Sequence, residues 1–305
     1  MNFTLKQLEY FRALATLGNF GRAAEASNIS QPALSVQIRS LEETLGGRLI
    51  ERQSRASVLT PLGREVLTRA EDILRRAKLL EATAREQVGL AGTLNLGLIP
   101  TVAPYLLPGV LAALRAQDIS LRVEVREAQT DQLLADLRAG ALDAAVMAVP
   151  SGETGLAEVP LFEDRFLLAG SADRMAGADV ARPTDLARTP LMLLEDGHCL
   201  TDQALEVCQR DRTQAGIHTG ASSLATLSRL VEAGFGMTLM PEIAAKTELD
   251  AAPGLRLHRF GAPEPARQIG LVRRAGTPGS GWAAQLAETL KEVGEGLTGE
   301  LRAKY

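Results

Sequence analysis

The sequence predicts an α/β chain in two parts, a small helical head and a larger body. Three observations predict it. Short apolar-striped segments crowd the first 46 residues, one helical pattern runs unbroken from Pro61 to about Leu90, and strand-like and helix-like segments alternate from Leu94 onward. The 305 residues exceed what one core usually fills, which also argues for two or more domains.

Composition narrows the function classes. Hydrophobic residues make up 46% and charged residues 23%, and no apolar run reaches the length of a membrane span. The opening "MNFTLKQLEYFRAL" lacks the basic, apolar and small-residue regions of a secretory signal, so a cytoplasmic location is expected, with no membrane partner. Charge is unevenly spread. Residues 1–90 carry 13 Lys and Arg against 10 Asp and Glu, while the remaining 215 carry 20 against 27. A polyanion, if one is bound, meets the head.

In the head, "LKQLEYFRALATLG" puts Leu8, Phe11 and Ala15 on one helical face. Gly18 breaks the pattern, and Asn19 is placed to cap a short helix through "FGRAAEAS". Ser30 caps a third helix with Pro32 in its first turn, where a missing N–H is harmless. Leu34, Ile38, Leu41 and Leu45 form its buried stripe, while Gln31, Ser35 and Arg39 line another face. A tight turn before the last of three short helices reads as a helix-turn-helix. Its third helix would enter the major groove of double-stranded DNA, with Gln31 and Ser35 nearest the base edges and Ser30, Pro32, Gln37 and Arg39 alongside. After Gly46 and Gly47, "RLIERQSRASVLT" alternates and turns at residues 53–56, a two-stranded wing carrying Arg52 and Arg55 to phosphates. The competing reading is a three-helix interaction module with a solvated polar face.

In the long helix, Val66, Ala70, Ile73, Ala77, Leu80 and Ala84 repeat at steps of four and three, a seam held for three heptads. Alanine at every second position lets a partner helix approach closely. The seam predicts dimerisation, which would present two recognition helices to a two-fold site; the alternative is packing on the chain's own domain.

The segment "FRALATLGNFGRAAEASNISQPALSVQIRSLEETLGGRLIER" resembles the DNA-binding domain of LysR-type transcriptional regulators. The resemblance covers the head and the linker helix. It implies a winged helix-turn-helix at residues 1–60, a linker helix at 61–90, and a dimer or tetramer that activates or represses promoters, with RNA polymerase as a possible further partner. It also implies that residues 91–305 form a two-subdomain effector domain of the periplasmic-binding-protein type.

The body's own pattern agrees with a mostly parallel sheet covered by helices. "LNLGLI", "SLRVEVREA" and "AAVMAV" read as strands, with helices in "PTVAPYLLPGVLAALRAQ" and "TDQLLADLRAGALD". Further strands are expected at Asp164–Leu168, Leu191–Leu194, Met237–Met240 and Gln268–Val272. Further helices are expected at Leu200–Arg210, Leu224–Glu232, Pro241–Lys246 and Gly281–Gly294. The chain would cross between subdomains near residues 163 and 268, so that 91–163 and 268–305 form one and 164–267 the other.

Both cysteines fall in "EDGHCLTDQALEVCQRD", at Cys199 and Cys208. Cys199 stands at a helix start, where the macrodipole favours thiolate, and Cys208 on the apolar face. In a helix, nine residues separate the Cα atoms by roughly 13–14 Å, whereas a disulfide needs about 4.4–6.8 Å. Bonding requires the helix to unwind. The bland alternative is two small buried hydrophobes.

"LMLLEDGHCLTDQALEVC", "GLIPTVAPYLLP", "REAQTDQLLADLRAG", "EVPLF" and "ASSLATLSRLVEAGFGMTLMP" resemble the peroxide-responsive members of the same family, over nearly the whole chain. This implies that Cys199 reacts with hydrogen peroxide, that Cys208 resolves the sulfenic acid into a disulfide, and that thiol reductants reverse it. It also carries over Thr101, Thr130, His198, Asp202, His218 and Arg267 as supports of the peroxide site. The threonines would hydrogen-bond peroxide, and Arg267 or His198 would lower the thiolate pKa. Against these stand plain readings: the threonines only cap helices, His218 is structural, and Arg267 is a surface charge. The segment "QRDRTQAGIHTG" is polar where the family pattern has an aromatic residue. No cofactor or metal is expected, and no catalytic residue, because the chemistry is stoichiometric. Two other functions remain open: a LysR-type regulator sensing a small organic ligand with inert cysteines, and a thiol peroxidase.

Overall fold

The computed structural model describes residues 2–52, 57–86, 93–118, 121–176, 180–187, 189–213, 216–275 and 281–304. The chain divides into two compact units, Met1–Ala82 and Thr83–Tyr305.

The first unit begins with α1 (Leu5–Leu17), α2 (Phe20–Ala26) and α3 (Gln31–Leu45). Each start is fixed by a cap legible in the sequence. Thr4 and Gln7 cap one another reciprocally, Asn19 accepts from the Gly21 and Arg22 amides, and Ser30 accepts from the Ala33 amide. Leu8, Phe11 and Leu14 of α1 pack on Ala23 and Ala24 of α2 and on Leu34, Ile38 and Leu41 of α3. The α1 stripe therefore ends on Leu14 rather than Ala15, which is only half-buried.

The wing is an antiparallel pair, β1 (Ile50–Arg52) and β2 (Ser57–Leu59). Glu42 on α3 fixes its entry, its Oε1 accepting from the Leu49 and Ile50 amides at 2.7 and 3.1 Å. The turn at 53–56, including Arg55, and the Arg52 side chain lie outside the described residues.

Helix α4 (Pro61–Glu86) carries the heptad seam. Ala70 and Leu74 are buried in the first unit's own core, and Val66 packs against it. Ile73 is 39% and Leu80 73% exposed. The seam thus divides: its first half serves its own unit, as the plainer reading held, and its second half is open. The Ala84 side chain lies outside the described residues. Gly63 explains how α4 seats so closely, because a Cβ there would stand 2.1 Å from the Leu49 carbonyl oxygen. Gly63→Ala gains about 1 kcal/mol of helix propensity but forces a backbone shift costing typically 1–3 kcal/mol. Net destabilisation of the first unit is expected, read as an earlier thermal transition and weaker DNA binding.

The second unit opens with β3 (Thr93–Leu98), α5 (Ala103–Gln117), β4 (Arg122–Glu127), α6 (Thr130–Arg138) and β5 (Ala144–Val149). Strands β4 and β5 both pair parallel with β3. Residues 144–147 of β5 are wholly buried, as a strand covered on both faces requires. Strand β6 (Leu156–Ser171) runs sixteen residues, far longer than the expected Asp164–Leu168.

The remaining elements are α7 (Ala172–Met175), β7 (Leu191–Leu194), α8 (Cys199–Val207), β8 (Ile217–Ala221), α9 (Leu224–Glu232), β9 (Thr238–Pro241), α10 (Glu242–Ala251), β10 (Leu255–Arg259), β11 (Ala266–Arg274) and α11 (Trp282–Lys304). Leu156 through Arg165 of β6 lie antiparallel against β11, and from Phe166 the strand continues antiparallel against β9 and β10, so this sheet is mixed rather than mostly parallel as expected. One strand thereby joins two parts of the body. Strands β8 and β10 were not expected, and α10 and α11 run past their expected ends, because amphipathic spacing marks a helix better than it marks its last turn.

Candidate functional site

Cys199 is the first residue of α8. His198 precedes it as the N-cap, without a side-chain cap bond, and Cys208 is the C-cap. Leu200, Ala204 and Leu205 bury one face of α8, and the Thr201 hydroxyl donates to the Leu194 carbonyl at 2.9 Å, tying the first turn to β7. Both cysteines are free; Cys199 is partly exposed and Cys208 is buried. Nine positions apart along the helix, their Cα atoms are about 13–14 Å apart.

The two thiols differ in environment. Burial pushes the Cys208 thiol up from 9.0 to about 11, against a smaller opposing pull from Arg210. At neutral pH Cys208 is a neutral core thiol and a poor nucleophile. The following segment is pinned by Arg210, which donates to the Leu186 and Thr189 carbonyls at 3.2 and 2.6 Å.

Around Cys199 the chain forms a tight niche lined by Ile99, Pro100, Thr101, Gln129, Thr130, Gly197 and His198, with about 170 Å³ of unfilled space including its mouth. Thr101 follows β3 and is buried. It caps nothing. Its Oγ1 accepts from Arg267 Nη1 at 3.0 Å, which occupies a lone pair and leaves its proton free to donate. Thr130 is the first residue of α6, whose N-cap Gln129 makes no side-chain cap bond. Thr130 Oγ1 is buried without a hydrogen-bond partner among the described residues. An orphaned hydroxyl in such a place is costly unless a small polar ligand or water meets it.

Gln129 had no signal in the sequence. Its Nε2 donates to the Asp196 carbonyl at 3.2 Å, crossing the niche's rim. Gly197 permits this. Its φ of +93° lies in the left-handed region, and a Cβ would stand 2.4 Å from Gln129 Oε1.

His198 is buried, and desolvation lowers its pKa against smaller opposing effects of Glu195 and Glu127. It is therefore neutral at pH 7 and supplies no cation to the thiolate, contrary to the expectation for it. A histidine whose pKa is lowered on folding leaves stability intact above 6.5 and loses it as pH falls below. Unfolding midpoints are expected to drop on acidification below pH 6.5, and less steeply in His198→Gln. Arg267 is not a surface charge: it is 4% exposed and paired with buried Asp164, Nη2 to Oδ2 at 2.9 Å. Burial pushes the Asp164 carboxyl up against the opposing pull of Arg267, and Arg267 reaches the niche through its hydrogen bond to Thr101.

The structure does not bring every expected support into the niche. Asp202 is exposed on α8 and ion-paired with Arg212, which also pairs with Asp196. His218 is exposed on β8, opposite Met192 of β7, and is not among the lining residues. In the first unit Ser30, Gln31, Pro32 and Arg39 are exposed, and Ser35 and Gln37 are half-buried, on the face of α3 away from its core stripe. Among the described residues no cluster of His, Cys, Asp and Glu could hold a metal ion, and no helix is long and apolar enough to cross a membrane.

Comparison with known proteins places this geometry. Residues 5–64 match the bacterial regulatory helix-turn-helix protein, lysR family, and residues 87–295 match the LysR substrate binding domain. A hydrogen peroxide-inducible genes activator of Pectobacterium carotovorum subsp. carotovorum is 41% identical over 294 residues, 96% of this chain and 97% of the relative. The DNA-binding transcriptional dual regulator OxyR of Escherichia coli (strain K12) is 42% identical over 289 residues, 94% of each. Full-length Pseudomonas aeruginosa OxyR with a cysteine-to-aspartate substitution superposes with a TM-score of 0.71 at 31% identity, covering 97% of this chain and 95% of that one. A cysteine-to-serine mutant of Corynebacterium glutamicum OxyR, H2O2-bound, superposes at 0.66 with 37% identity, covering 99% and 97%. The chain belongs to the LysR family, in its OxyR branch of hydrogen peroxide-inducible genes activators.

Proposed function

We propose that this chain is a DNA-binding transcriptional regulator that senses hydrogen peroxide through Cys199 and stores the signal as a Cys199–Cys208 disulfide. The observation that carries the reading is the niche: a partly exposed thiol at a helix start, faced by one hydroxyl free to donate and a second with no partner among the described residues. The Cys199 thiolate attacks one peroxide oxygen, the O–O bond breaks, and hydroxide leaves, giving a sulfenic acid. Thr101 and Thr130 are the donors available to the developing charge. Cys208 then attacks the sulfenic sulfur and expels its oxygen as water.

The switch is the structural cost of that second step. Cys208 must leave the core and α8 must unwind, which repacks the surface of the body and changes how subunits associate. We read the oligomer as a dimer or tetramer whose open α4 seam, with Ile73 and Leu80, joins protomers. Promoter contacts by Gln31, Ser35 and Arg39 then change, with RNA polymerase as the downstream partner. On this reading the protein is a stoichiometric sensor rather than an enzyme, needs no cofactor, works in the cytoplasm and is reset by thiol reductants. The two parts of the body, 91–163 with 268–305 and 164–267, are the moving pieces.

An organic ligand is disfavoured at this niche by size, since such sites span roughly 300–1,000 Å³ and the niche spans only about 170 Å³ even with its open mouth counted. The test is mass spectrometry with a sulfenic-acid trap after sub-stoichiometric peroxide. Trapping at Cys199 is expected; an unmodified Cys199, or modification at Cys208 first, contradicts the reading. In the head, Gln31→Ala and Arg39→Ala are each expected to weaken specific DNA binding by about 1–3 kcal/mol, measured by titration at fixed salt.

A further inference from the structure

Asp164 stands where β6 passes from β11 toward β9 and β10, and it is wholly buried. Both its oxygens are engaged. Oδ1 accepts from the Ile243 amide in the first turn of α10 at 3.0 Å, and Oδ2 accepts from Arg267 Nε at 2.9 Å and stands in ion-pair contact with Nη2, also at 2.9 Å. The rest of the guanidinium faces Thr101: Nη1 donates to its hydroxyl at 3.0 Å and Nη2 to its carbonyl at 3.4 Å. Thr101 lines the niche beside Cys199. A continuous chain of hydrogen bonds thus runs from the start of α10 through Asp164 and Arg267 to the niche.

Geometry decides what this chain does. A guanidinium is a rigid planar fork, so the Nε hydrogen bond and the Nη2 ion-pair contact to Asp164 fix the direction of the remaining N–H groups. With Nη1 occupying a lone pair of Thr101 Oγ1, the hydroxyl proton is restricted to other directions. We propose that Asp164 is a positioning residue for the peroxide reaction, holding Arg267 so that the Thr101 hydroxyl donates to the oxygen that leaves as hydroxide. The proposal rests on the peroxide-sensing reading above. In the step concerned the Cys199 sulfur bonds to one oxygen, the O–O bond breaks, and the departing oxygen carries the electron pair away while accepting the Thr101 hydrogen bond. Asp164 itself touches neither peroxide nor sulfur. Removing its charge leaves a buried guanidinium free to pivot, and misplacing a donor to developing charge slows such steps strongly.

The experiment compares two reagents on the full-length protein: hydrogen peroxide, which needs a donor for its leaving hydroxide, and iodoacetamide, which reports thiolate reactivity and access. In Asp164→Asn the rate of Cys199 oxidation by peroxide is expected to fall at least about tenfold, with alkylation within about twofold of the parent. Thr101→Val is expected to produce a similar selective loss, and the double variant is expected to be no slower than Thr101→Val alone. A folded Asp164→Asn that reacts normally with peroxide overturns the proposal. So does equal slowing toward both reagents, or losses that multiply in the double variant. Should Asp164→Asn fail to fold, Asp164→Glu keeps the charge while displacing the fork by a methylene, and the same selective loss is expected. A parent protein whose Cys199 reacts no faster than a free thiol would instead sink the peroxide reading itself, whereas a fast parent with an indifferent Asp164→Asn sinks only the positioning role.

Discussion

Cys199→Ser is expected to abolish every peroxide-dependent change in the promoter footprint while leaving DNA binding intact. The hydroxyl is nearly isosteric with the thiol, and Cys199 belongs to the second compact unit whereas α3 belongs to the first. The head's core and caps are untouched, so affinity for DNA in the reduced state should stay within about twofold, as for a near-isosteric change outside the DNA-binding unit. Sulfenic acid cannot form, so neither the disulfide nor the helix melting follows. Cys208→Ser separates the steps: Cys199 oxidation is expected at the parent rate, but the product remains a sulfenic acid and the footprint fails to lock. A peroxide-induced footprint change in Cys199→Ser would show that the trigger lies elsewhere.

The second large effect concerns Cys208. Its thiol is pushed up from 9.0 to about 11 by burial. The folded protein therefore holds that proton more tightly than the unfolded chain. The stability it represents is complete below pH 9 and is lost as pH rises toward 11, because over that window the unfolded chain gains by ionising. Two pH units correspond to about 2–3 kcal/mol. Denaturant titrations of the reduced protein are expected to show this decline, and Cys208→Ser is expected to lack it. The same shift bears on mechanism. Moving the thiol from core to water raises its thiolate fraction at neutral pH by about a hundredfold, so resolution becomes fast only once α8 opens. A parent and Cys208→Ser with identical slopes between pH 9 and 11 would place Cys208 in water already.

Much of this could be read from residues alone, for a local reason. Caps act within one turn, so Asn19 and Ser30 announced α2 and α3, and the four-three spacing announced α4. The thiol spacing and the helix between Cys199 and Cys208 were equally local. What could not be read was set by contacts distant in sequence. Arg267 was plain as a charge, but its burial depends on Asp164, 103 residues earlier. Gln129 belongs to the niche because it reaches Asp196, 67 residues later. Strand β10 alternates well enough to be recognised, whereas β8 carries a polar and exposed run whose pairing with β7 only the fold supplies. Asp202 and His218 came in with the family resemblance, and the structure places both at the surface.

Amide hydrogen exchange across residues 199–208, followed while sub-stoichiometric peroxide is consumed, tests most directly the claim that α8 must open before its two sulfurs can join. Protection is expected to survive formation of the sulfenic acid and to collapse in step with the disulfide. A fully formed disulfide beneath an α8 that keeps its protection would contradict the account.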